Sequence, residues 1–420
     1  MNRLTTPWGD LDLGRFPEQP RDTLRAWDAA DEYLLRHLAE AEAEAESESG
    51  SESGSEGFGS ADGGAGSGTG SGTGDGVSCG VDLSGRVVVV GDRWGALATA
   101  LAPHRPVQIT DSYLTQQATR ANLLRNGIDT DAVRLLSARD TPPERIDVLL
   151  IRVPKSLSLL EDQLHRLAPA VHPGTVVVGT GKVTEIHTST LKLFEQILGP
   201  TRTSLAVKKA RLIFCAPAAE RARTGTGPWP ISYLVPEGAG PGSGLTAVNH
   251  AGIFCAERLD IGTRFFLRHL PERRGREHVV DLGCGNGVVG TAVAVANPAA
   301  RLTFIDESFS AVASAEATFR KNVDTAGPVE FVVGDGMSTV AAGSVDLVLN
   351  NPPFHSHQAT TDATAFRMFT GSREALRPGG ELWVVGNRHL GYHTKLRRLF
   401  GNCEVMASDP KFVVLRAVRR

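Results

Sequence analysis

The stretch "HVVDLGCGNGVVG", His278–Gly290, decides the fold. A short apolar strand runs into an acidic residue, Asp281, and then into glycines at every second position, Gly283, Gly285 and Gly287. Glycine adopts the positive φ of a tight turn without strain, and it lets a bound molecule approach the backbone closely. The stretch therefore predicts a strand, a ligand-binding turn and a helix, which together open a doubly wound α/β sheet.

The next two predicted strands both end in carboxylates. "LTFID" ends at Asp306, next to Glu307, and "VEFVVGDG" ends at Asp335. A carboxylate after the second strand can accept hydrogen bonds from both hydroxyls of a ribose, and one after the third can accept an adenine amino proton. The glycine spacing is GxGxG rather than the GxGxxG of dinucleotide sites, although the second-strand carboxylate fits both kinds of cofactor. An adenosine-containing ligand is therefore expected at the carboxyl ends of the strands.

The fourth predicted strand runs into the turn "NPPF", which spans residues 351–354. The amino group of a nucleobase is a weak nucleophile, because its lone pair is delocalised into the ring. The side-chain oxygen of Asn351 and the carbonyl of Pro352 can accept its two N–H bonds, while proline keeps the turn rigid. Phe354 offers a face on which a base can stack. The turn therefore predicts group transfer to an exocyclic amine, against the plainer interpretations of Asn351 as a turn residue and Phe354 as a core residue.

The first half of the chain repeats this pattern at an offset of about 190 residues. "GRVVVVGDRWGALATALA" (85–102) resembles "EHVVDLGCGNGVVGTAVA" (277–294), and "RIDVLLIRVPKS" (145–156) resembles "SVDLVLNNPPFH" (344–355). The Gly/Pro-rich segment 236–244 reads as a linker. The sequence thus predicts two tandem doubly wound Rossmann-like domains, with a first domain over 1–235 and a second over 245–420.

The first domain is predicted to be a degenerate copy. In place of the glycine turn it has "VGDRWGA", where Arg93 and Trp94 are expected to block a ligand. In place of the NPPF turn it has Val153-Pro154-Lys155-Ser156. Asp111 is interpreted as a remnant of the second-strand carboxylate.

Residues 40–80 are low in complexity and consist mostly of Glu, Ser, Gly and Thr. Glu40–Asp75 contains nine acidic residues and no basic one, so the rest of the chain is net positive. Such a composition predicts a disordered insertion that buries almost no apolar area, with an acidic partner-binding tether as the alternative.

The remaining totals exclude several classes. No stretch approaches the roughly 20 apolar residues of a membrane span, and the N-terminal residues lack the apolar region of a secretory signal. The five cysteines are scattered without a CxxC pair, which indicates neither a disulfide framework nor a zinc site. The sequence therefore predicts a cytoplasmic protein without a metal.

Beyond the motifs themselves, the chain resembles a known family. The stretches "RAWDAADEYLL" (25–35), "DIGTRFFLRHLP" (260–271), "NNPPFH" (350–355), "VVGNRHLGYHTKLRRLFGN" (384–402) and "KFVVLRA" (411–417) resemble the large-subunit 23S ribosomal RNA guanine-N2 methyltransferases of the class I, S-adenosylmethionine-dependent type. The resemblance covers nearly the whole chain except 40–80. It implies two methyltransferase-like domains, of which only the second binds S-adenosyl-L-methionine, and 23S ribosomal RNA as the substrate.

The resemblance and the motifs together define the predicted site. The catalytic residues are expected to be Asn351, Pro352 and Phe354. Donor binding is expected from Asp281, Gly283, Gly285, Gly287, Asp306, Asp335 and Asn351. The basic run 388–398 is interpreted either as a solvated helix face or as a contact for RNA.

Other acceptors and a non-enzymatic role are the competing hypotheses. The same chemistry would serve guanine N2 in 16S ribosomal RNA, adenine N6 or a protein glutamine amide, although the last two more often use tyrosine where Phe354 stands. A non-catalytic RNA-binding assembly factor is the alternative from another class. It fits poorly with one intact and one decayed site, because a pure binder has no reason to keep only one.

Overall fold

The computed structural model describes residues 3–18, 24–51, 81–218, 226–324, 327–353 and 358–420, without the side chains of 42–51 and 358–362. In these ranges the chain forms two α/β units. No helix among them is long and apolar enough to cross a membrane.

The N-terminal unit is built on a seven-stranded sheet with the order β5-β4-β3-β6-β7-β9-β8 in the described part of the chain. A small hairpin, β1 (Arg3–Thr6) and β2 (Gly9–Asp12), precedes it. The sheet strands are β3 (Val87–Val90), β4 (Val107–Thr110), β5 (Arg134–Ser137), β6 (Ile146–Arg152), β7 (Val171–Lys182), β8 (Thr201–Thr203) and β9 (Ala210–Cys215). The helices are α1 (Ala29–Ser51), α2 (Ala96–Ala100), α3 (Tyr113–Arg125), α4 (Leu157–Leu167) and α5 (Thr188–Ile197).

The C-terminal unit repeats this topology, with the order β14-β13-β12-β15-β16-β18-β17. A hairpin, β10 (Ile231–Leu234) and β11 (Thr246–Asn249), precedes it. The sheet strands are β12 (His278–Leu282), β13 (Arg301–Asp306), β14 (Val329–Val333), β15 (Val345–Asn350), β16 (Leu376–Asn387), β17 (Glu404–Ser408) and β18 (Phe412–Val418). The helices are α6 (Ile261–Leu267), α7 (Val288–Ala296), α8 (Phe309–Asn322), α9 (Gln358–Ala375) and α10 (Tyr392–Phe400).

In both sheets the first four strand pairings in spatial order are parallel and the last two pairings are antiparallel. Helices cover both faces, so the central strands are buried on both sides and read as continuous apolar runs such as "VVVV" of β3. The predicted fold class, two tandem doubly wound α/β units, is confirmed.

The segment 236–244 is not a linker, contrary to the expectation from its glycines and two prolines. It joins β10 to β11, and this hairpin belongs to the C-terminal unit, because β11 packs on α8. Val235 and Ala239 are buried in the same apolar cluster as Phe266 and Val279. A Gly/Pro-rich composition marks a turn, and only tertiary contacts show whether the turn lies inside a domain or between two domains.

The low-complexity segment begins later than expected. Helix α1 continues to Ser51, and Ala41 is buried against the N-terminal core. The run "EAEAEAE" consists of strong helix formers, so it extends the preceding amphipathic helix rather than starting a loop. The remainder of the predicted insertion, 52–80, lies outside the described residues.

Strand register corrects the alignment of the two halves. Val90 pairs with Ile109 and Ile151 in the N-terminal sheet, as Leu282 pairs with Ile305 and Asn350 in the C-terminal sheet. Asn350 thus corresponds to Ile151, so the NPPF turn, which begins at the next residue, corresponds to residues 152–155 rather than 153–156. By the same register Thr110 occupies the position of Asp306, and Asp111 occupies that of Glu307.

Candidate active site

The cavity of the C-terminal unit lies at the carboxyl ends of its parallel strands and has a volume of about 1020 Å³. Six of the predicted donor-binding residues line it, and so does Pro352. These six are Asp281, Gly283, Gly285, Asp306, Asp335 and Asn351. The topology brings together residues that are up to 70 positions apart in the chain, because neighbouring parallel strands end at the same edge of the sheet.

The glycine turn is shaped by backbone conformation. Gly283, Gly285 and Gly287 have φ values of 70°, 53° and 73°, which residues with a Cβ rarely adopt. A Cβ on Gly285 would meet no atom within 4 Å, so this residue faces open space in the cavity. The backbone of the turn is thus accessible to a ligand.

Gly287 has a different role from the one predicted. It does not line the cavity, and a Cβ there would lie 2.6 Å from the Cα of Ala315 on α8. The third glycine is therefore needed for the close packing of α7 against α8, not for contact with a ligand. The sequence spacing could not distinguish these roles, since both require the absence of a side chain.

Two of the predicted carboxylates hold the turn in place. Asp281 Oδ2 accepts a hydrogen bond from Gly290 N at 2.8 Å, and burial raises the pKa of this carboxyl to about 7. Asp306 Oδ2 accepts from Gly285 N at 3.0 Å, and its Oδ1 accepts from Ser308 N at 3.0 Å. Burial also raises the pKa of Asp306. Asp281 acts on the start of α7, while Asp306 acts on Gly285 within the turn.

Asp335 lies on the far side of the cavity, where it forms an ion pair with Arg367 of α9. Both side chains are partly exposed, at 25% and 34%. A pair of this exposure is weak enough to exchange for another partner. The predicted hydrogen bond to an adenine amine would therefore compete with Arg367, a residue that the sequence did not single out.

The nitrogen and the oxygen of the Asn351 side-chain amide differ in their hydrogen bonding. Its Nδ2 donates to Thr263 Oγ1 at 3.0 Å, whereas its Oδ1 is shielded from solvent and has no partner among the residues that the structure describes. Buried polar atoms are normally paired, and an exception points to a function or a missing partner. Asn351 lines the cavity, so this oxygen is a candidate acceptor for an N–H of a bound molecule. Phe354 lies outside the described residues, so its stacking role remains a prediction.

Comparison with known proteins decides the family. The RLMG N-terminal domain model matches residues 1–49 and 78–219, and the methyltransferase small domain model matches 244–416. The chain is 66% identical to the ribosomal RNA large subunit methyltransferase G of Streptomyces avermitilis over 417 residues, covering 99% of each chain. It is 46% identical to that of Pseudomonas paraeruginosa, covering 99% of this chain and 100% of the relative.

The chain belongs to the ribosomal RNA large subunit methyltransferase G family. The family is S-adenosylmethionine-dependent, so the cofactor predicted from the sequence is confirmed for this chain. The family model skips residues 50–77, so most of the acidic insertion lies outside the pattern that the family shares. A solved structure with a similar fold is the Thermus thermophilus 16S rRNA N2 G1207 methyltransferase (RsmC) in complex with AdoMet and guanosine. Its TM-score is 0.64 at 20% identity, covering 80% of this chain and 91% of that chain.

The residues of this family member fit the cofactor. The cavity combines an accessible glycine turn, a carboxylate on the second strand and one on the third, which are the groups that adenosine ligands require. Asp306 and Asp335 could accept hydrogen bonds from a ribose and an adenine, which would leave Asn351 Oδ1 for a different molecule.

The N-terminal unit contributes to the cavity of this methyltransferase, which the sequence analysis did not predict. Leu114, at the start of α3, and Lys155, in the turn after β6, line the same cavity. On the C-terminal side Asn286 Nδ2 donates to Tyr233 Oη at 3.2 Å and to Asn249 Oδ1 at 2.9 Å, which ties the glycine turn to the hairpin. A sequence pattern carries no signal for a contact between two domains.

The basic run 388–398 does not line this cavity. In α10 the buried residues Tyr392, Leu396 and Phe400 follow a helical period, and Arg397 and Arg398 are exposed on the opposite face. An exposed basic face of this kind fits both predicted interpretations, a solvated helix face and a contact for RNA. Among the described residues, no group of three metal-binding side chains comes together.

Proposed function

We propose that this chain transfers a methyl group from S-adenosylmethionine to the exocyclic N2 amine of a guanine in 23S ribosomal RNA. The observation that carries the proposal is the buried oxygen of Asn351, a residue that lines the cavity: this oxygen has no partner among the described residues, while the amide nitrogen is held by Thr263. The full-length relatives are named as large subunit ribosomal RNA methyltransferases, which supports 23S RNA over 16S RNA.

The donor would be held by residues of the C-terminal unit. The backbone at Gly283 and Gly285 would take its amino-acid end, the Asp306 carboxylate its ribose hydroxyls, and Asp335 its adenine amine. When bound, S-adenosylmethionine supplies an electrophilic methyl group on sulfur.

The turn after β15 would orient the amino group of the guanine. Asn351 Oδ1 and the Pro352 carbonyl would each accept one N–H of the guanine amino group, which draws the nitrogen toward sp³ geometry and directs its lone pair at the methyl. Pro352 is buried and has no N–H of its own, so it presents only an acceptor. Fixed acceptors of this kind lower the barrier because they need no reorganisation during the reaction.

No strong base is required before the attack, since the amine can release its proton after the methyl has been transferred. The carboxylates of Asp281 and Asp306 are already engaged by backbone N–H groups, which supports a mechanism driven by positioning. The guanine would have to leave its stack to reach Asn351, and Phe354 is proposed to stack on the extruded base.

We further propose that catalysis belongs to the C-terminal unit, which begins with the hairpin at Ile231, and that the N-terminal unit ends after Cys215 and binds no donor of its own. The two units have separate buried apolar clusters, which supports this division. Because the proposed substrate is ribosomal RNA, we infer that the protein acts in the cytoplasm.

The test is nucleoside analysis of 16S and 23S RNA from a strain that lacks this protein. One N2-methylguanine should be missing from 23S RNA, and it should return with the wild-type gene but not with Asn351→Ala. Removing one preorganised acceptor costs about 10²–10³ in rate. Loss of the modification from 16S RNA alone, or no loss from either RNA, would refute the proposed substrate.

A further inference from the structure

We propose that Thr263 is a positioning residue, which sets the orientation of the Asn351 side-chain amide so that its oxygen, and not its nitrogen, faces the amine. The inference rests on the proposed function. An asparagine amide has two ends of nearly the same shape, and a turn by 180° would present two N–H donors to the substrate amine instead of an acceptor. The catalytic role of Asn351 therefore depends on whatever chooses between the two orientations.

Thr263 makes this choice through the direction of its own proton. Its Oγ1 lies 3.3 Å from Asp260 Oδ2, and a carboxylate can only accept. The hydroxyl proton therefore goes to Asp260, and the lone pairs of Oγ1 remain for the Asn351 nitrogen at 3.0 Å. The Asn351 nitrogen thus donates to Thr263, and the Thr263 hydroxyl donates to Asp260. Because the nitrogen end of the amide is held in this way, the Asn351 oxygen remains available to accept.

The start of α6 holds these hydrogen-bonded groups in place. Asp260 is the N-cap residue of α6, and its Oδ2 also accepts from Thr263 N at 2.9 Å. Asp260, Thr263 and Asn351 all line the cavity, so these groups lie where a substrate would bind. The helix N-terminus thus fixes both the backbone and the hydroxyl of Thr263.

In the N-terminal unit, different residues make a contact at the positions of Thr263 and Asn351. Asp31 is the third residue of α1, as Thr263 is the third residue of α6, and Arg152 stands at the strand position of Asn351. Arg152 Nε lies 3.4 Å from Asp31 Oδ1. The third helical residue and the residue at this position, which is the last of β6 and the first after β15, therefore meet in both units. This indicates that the contact is a feature of the fold and that only its chemistry differs.

The experiment compares Thr263→Val, which keeps the shape and removes the hydroxyl, with Thr263→Ser, which restores it. We expect Thr263→Val to lower the single-turnover methylation rate of 23S RNA by about 3- to 10-fold, the worth of one neutral hydrogen bond. Donor affinity by calorimetry should change by less than about 2-fold. Thr263→Ser should regain most of the rate. The same threonine-to-valine change at Thr246 of β11, outside the cavity, is the matched control and should alter neither quantity.

A double-mutant cycle separates orientation from every other role of Thr263. Both oxygens of a carboxylate accept, so Asn351→Asp needs no orientation, and adding Thr263→Val to it should cost nothing further in rate. An equal loss in both backgrounds, a wild-type rate for Thr263→Val, or a loss explained by weaker donor binding would each overturn the inference. Failure of the wild-type protein to methylate the RNA in the same assay would instead contradict the proposed function.

Discussion

The two halves of this chain share one topology and differ at the point where a ligand would bind. Directly after β15 the C-terminal unit has Asn351, which lines a large cavity, and at the corresponding position, the last residue of β6, the N-terminal unit has Arg152, whose side chain is fully buried. The comparison shows that buried charged side chains can occupy this region in one unit while the sheet keeps the same order and register as in the other.

Arg152 is the centre of a buried ion cluster. Its guanidinium lies 2.9 Å from Asp28, 3.4 Å from Asp31 and 3.2 Å from Glu185. Arg93, predicted to block a ligand, also pairs with Glu185 at 2.7 Å. Burial raises the pKa of the Asp31 carboxyl to about 7. These charged side chains therefore pair with one another inside the N-terminal unit.

The N–H groups at the start of α2 are also bonded to a charged side chain of the N-terminal unit. Asp92 stands where the C-terminal unit has Cys284, and its carboxylate accepts from Ala96 N at 3.1 Å and from Ala98 N at 2.9 Å. These N–H groups belong to the first turn of α2. In the C-terminal unit the N–H that corresponds to Ala98 N, that of Gly290, is also held by a buried carboxylate, Asp281, so both units close this turn from inside.

The two units nevertheless meet through the turns that correspond to each other. Ser308 Oγ donates to Asp111 at 2.5 Å, and Ser112 Oγ donates to Glu307 at 2.6 Å, so each N-cap serine reaches the acid of the opposite unit. Glu307 follows Asp306 directly. The acid after the second strand, interpreted from the sequence as a remnant, is therefore part of the contact between the units.

Removal of Arg152 should produce the largest effect on stability. Arg152→Ala leaves Asp28, Asp31 and Glu185 without their central cation, and loss of one partner from a buried ion cluster costs about 3–5 kcal/mol. The measurement is the free energy of unfolding in urea. As the control, Arg145→Ala removes an exposed partner of Asp147 and should cost less than about 1 kcal/mol. Equal costs for the two variants would refute the assigned role of the cluster.

Asp306→Ala should weaken donor binding by about 10- to 100-fold, because hydrogen bonds to a charged acceptor contribute about 1.5–3 kcal/mol. Thr110→Ala changes the corresponding position of the N-terminal unit and should leave donor affinity unaltered. Calorimetry of the wild-type chain should give one site. Two equivalent sites, or a loss of affinity in Thr110→Ala, would contradict the division into one working and one degenerate unit.

The contact between the units should depend on pH through Glu307. Burial raises the pKa of this carboxyl from 4.5 to about 7, so the folded state binds its proton more tightly than the unfolded state does. Stability from this group is present below pH 4.5 and is lost as the pH rises toward 7. Between pH 5 and pH 8, the free energy of unfolding in urea should therefore fall by about 1–2 kcal/mol less in Glu307→Gln than in the wild type. Parallel losses in the two proteins would show that another group causes the pH dependence.

Deletion of residues 52–77 should have the smallest effect. The segment consists mainly of Gly, Ser, Glu and Thr and lies in the range that the family model skips, so it offers little apolar area to bury. With a short Gly/Ser joint between Ser51 and Ser78, methylation and unfolding free energy should both stay close to the wild-type values. A marked fall in activity on RNA with unchanged stability would instead assign a function to the acidic segment.

Much of the site could be predicted because its motifs are local. The glycine turn, the carboxylates after two strands and the asparagine before two prolines lie within short windows, and their backbone demands show in the sequence. Thr263 is 88 residues from Asn351, and Arg152 is 124 residues from Asp28. Pairs at such distances leave no periodicity or spacing to recognise.

The sequence by itself determined the alternation of strands and helices, the internal repeat and the position of the acceptor turn, because these follow from apolar periodicity and from the conformational limits of glycine and proline. Only the tertiary structure decided that Gly287 packs helices, that 236–244 closes a hairpin and that Arg152 stands in place of Asn351. The reason is physical: a slip of one residue in register changes every contact of a strand without changing its composition.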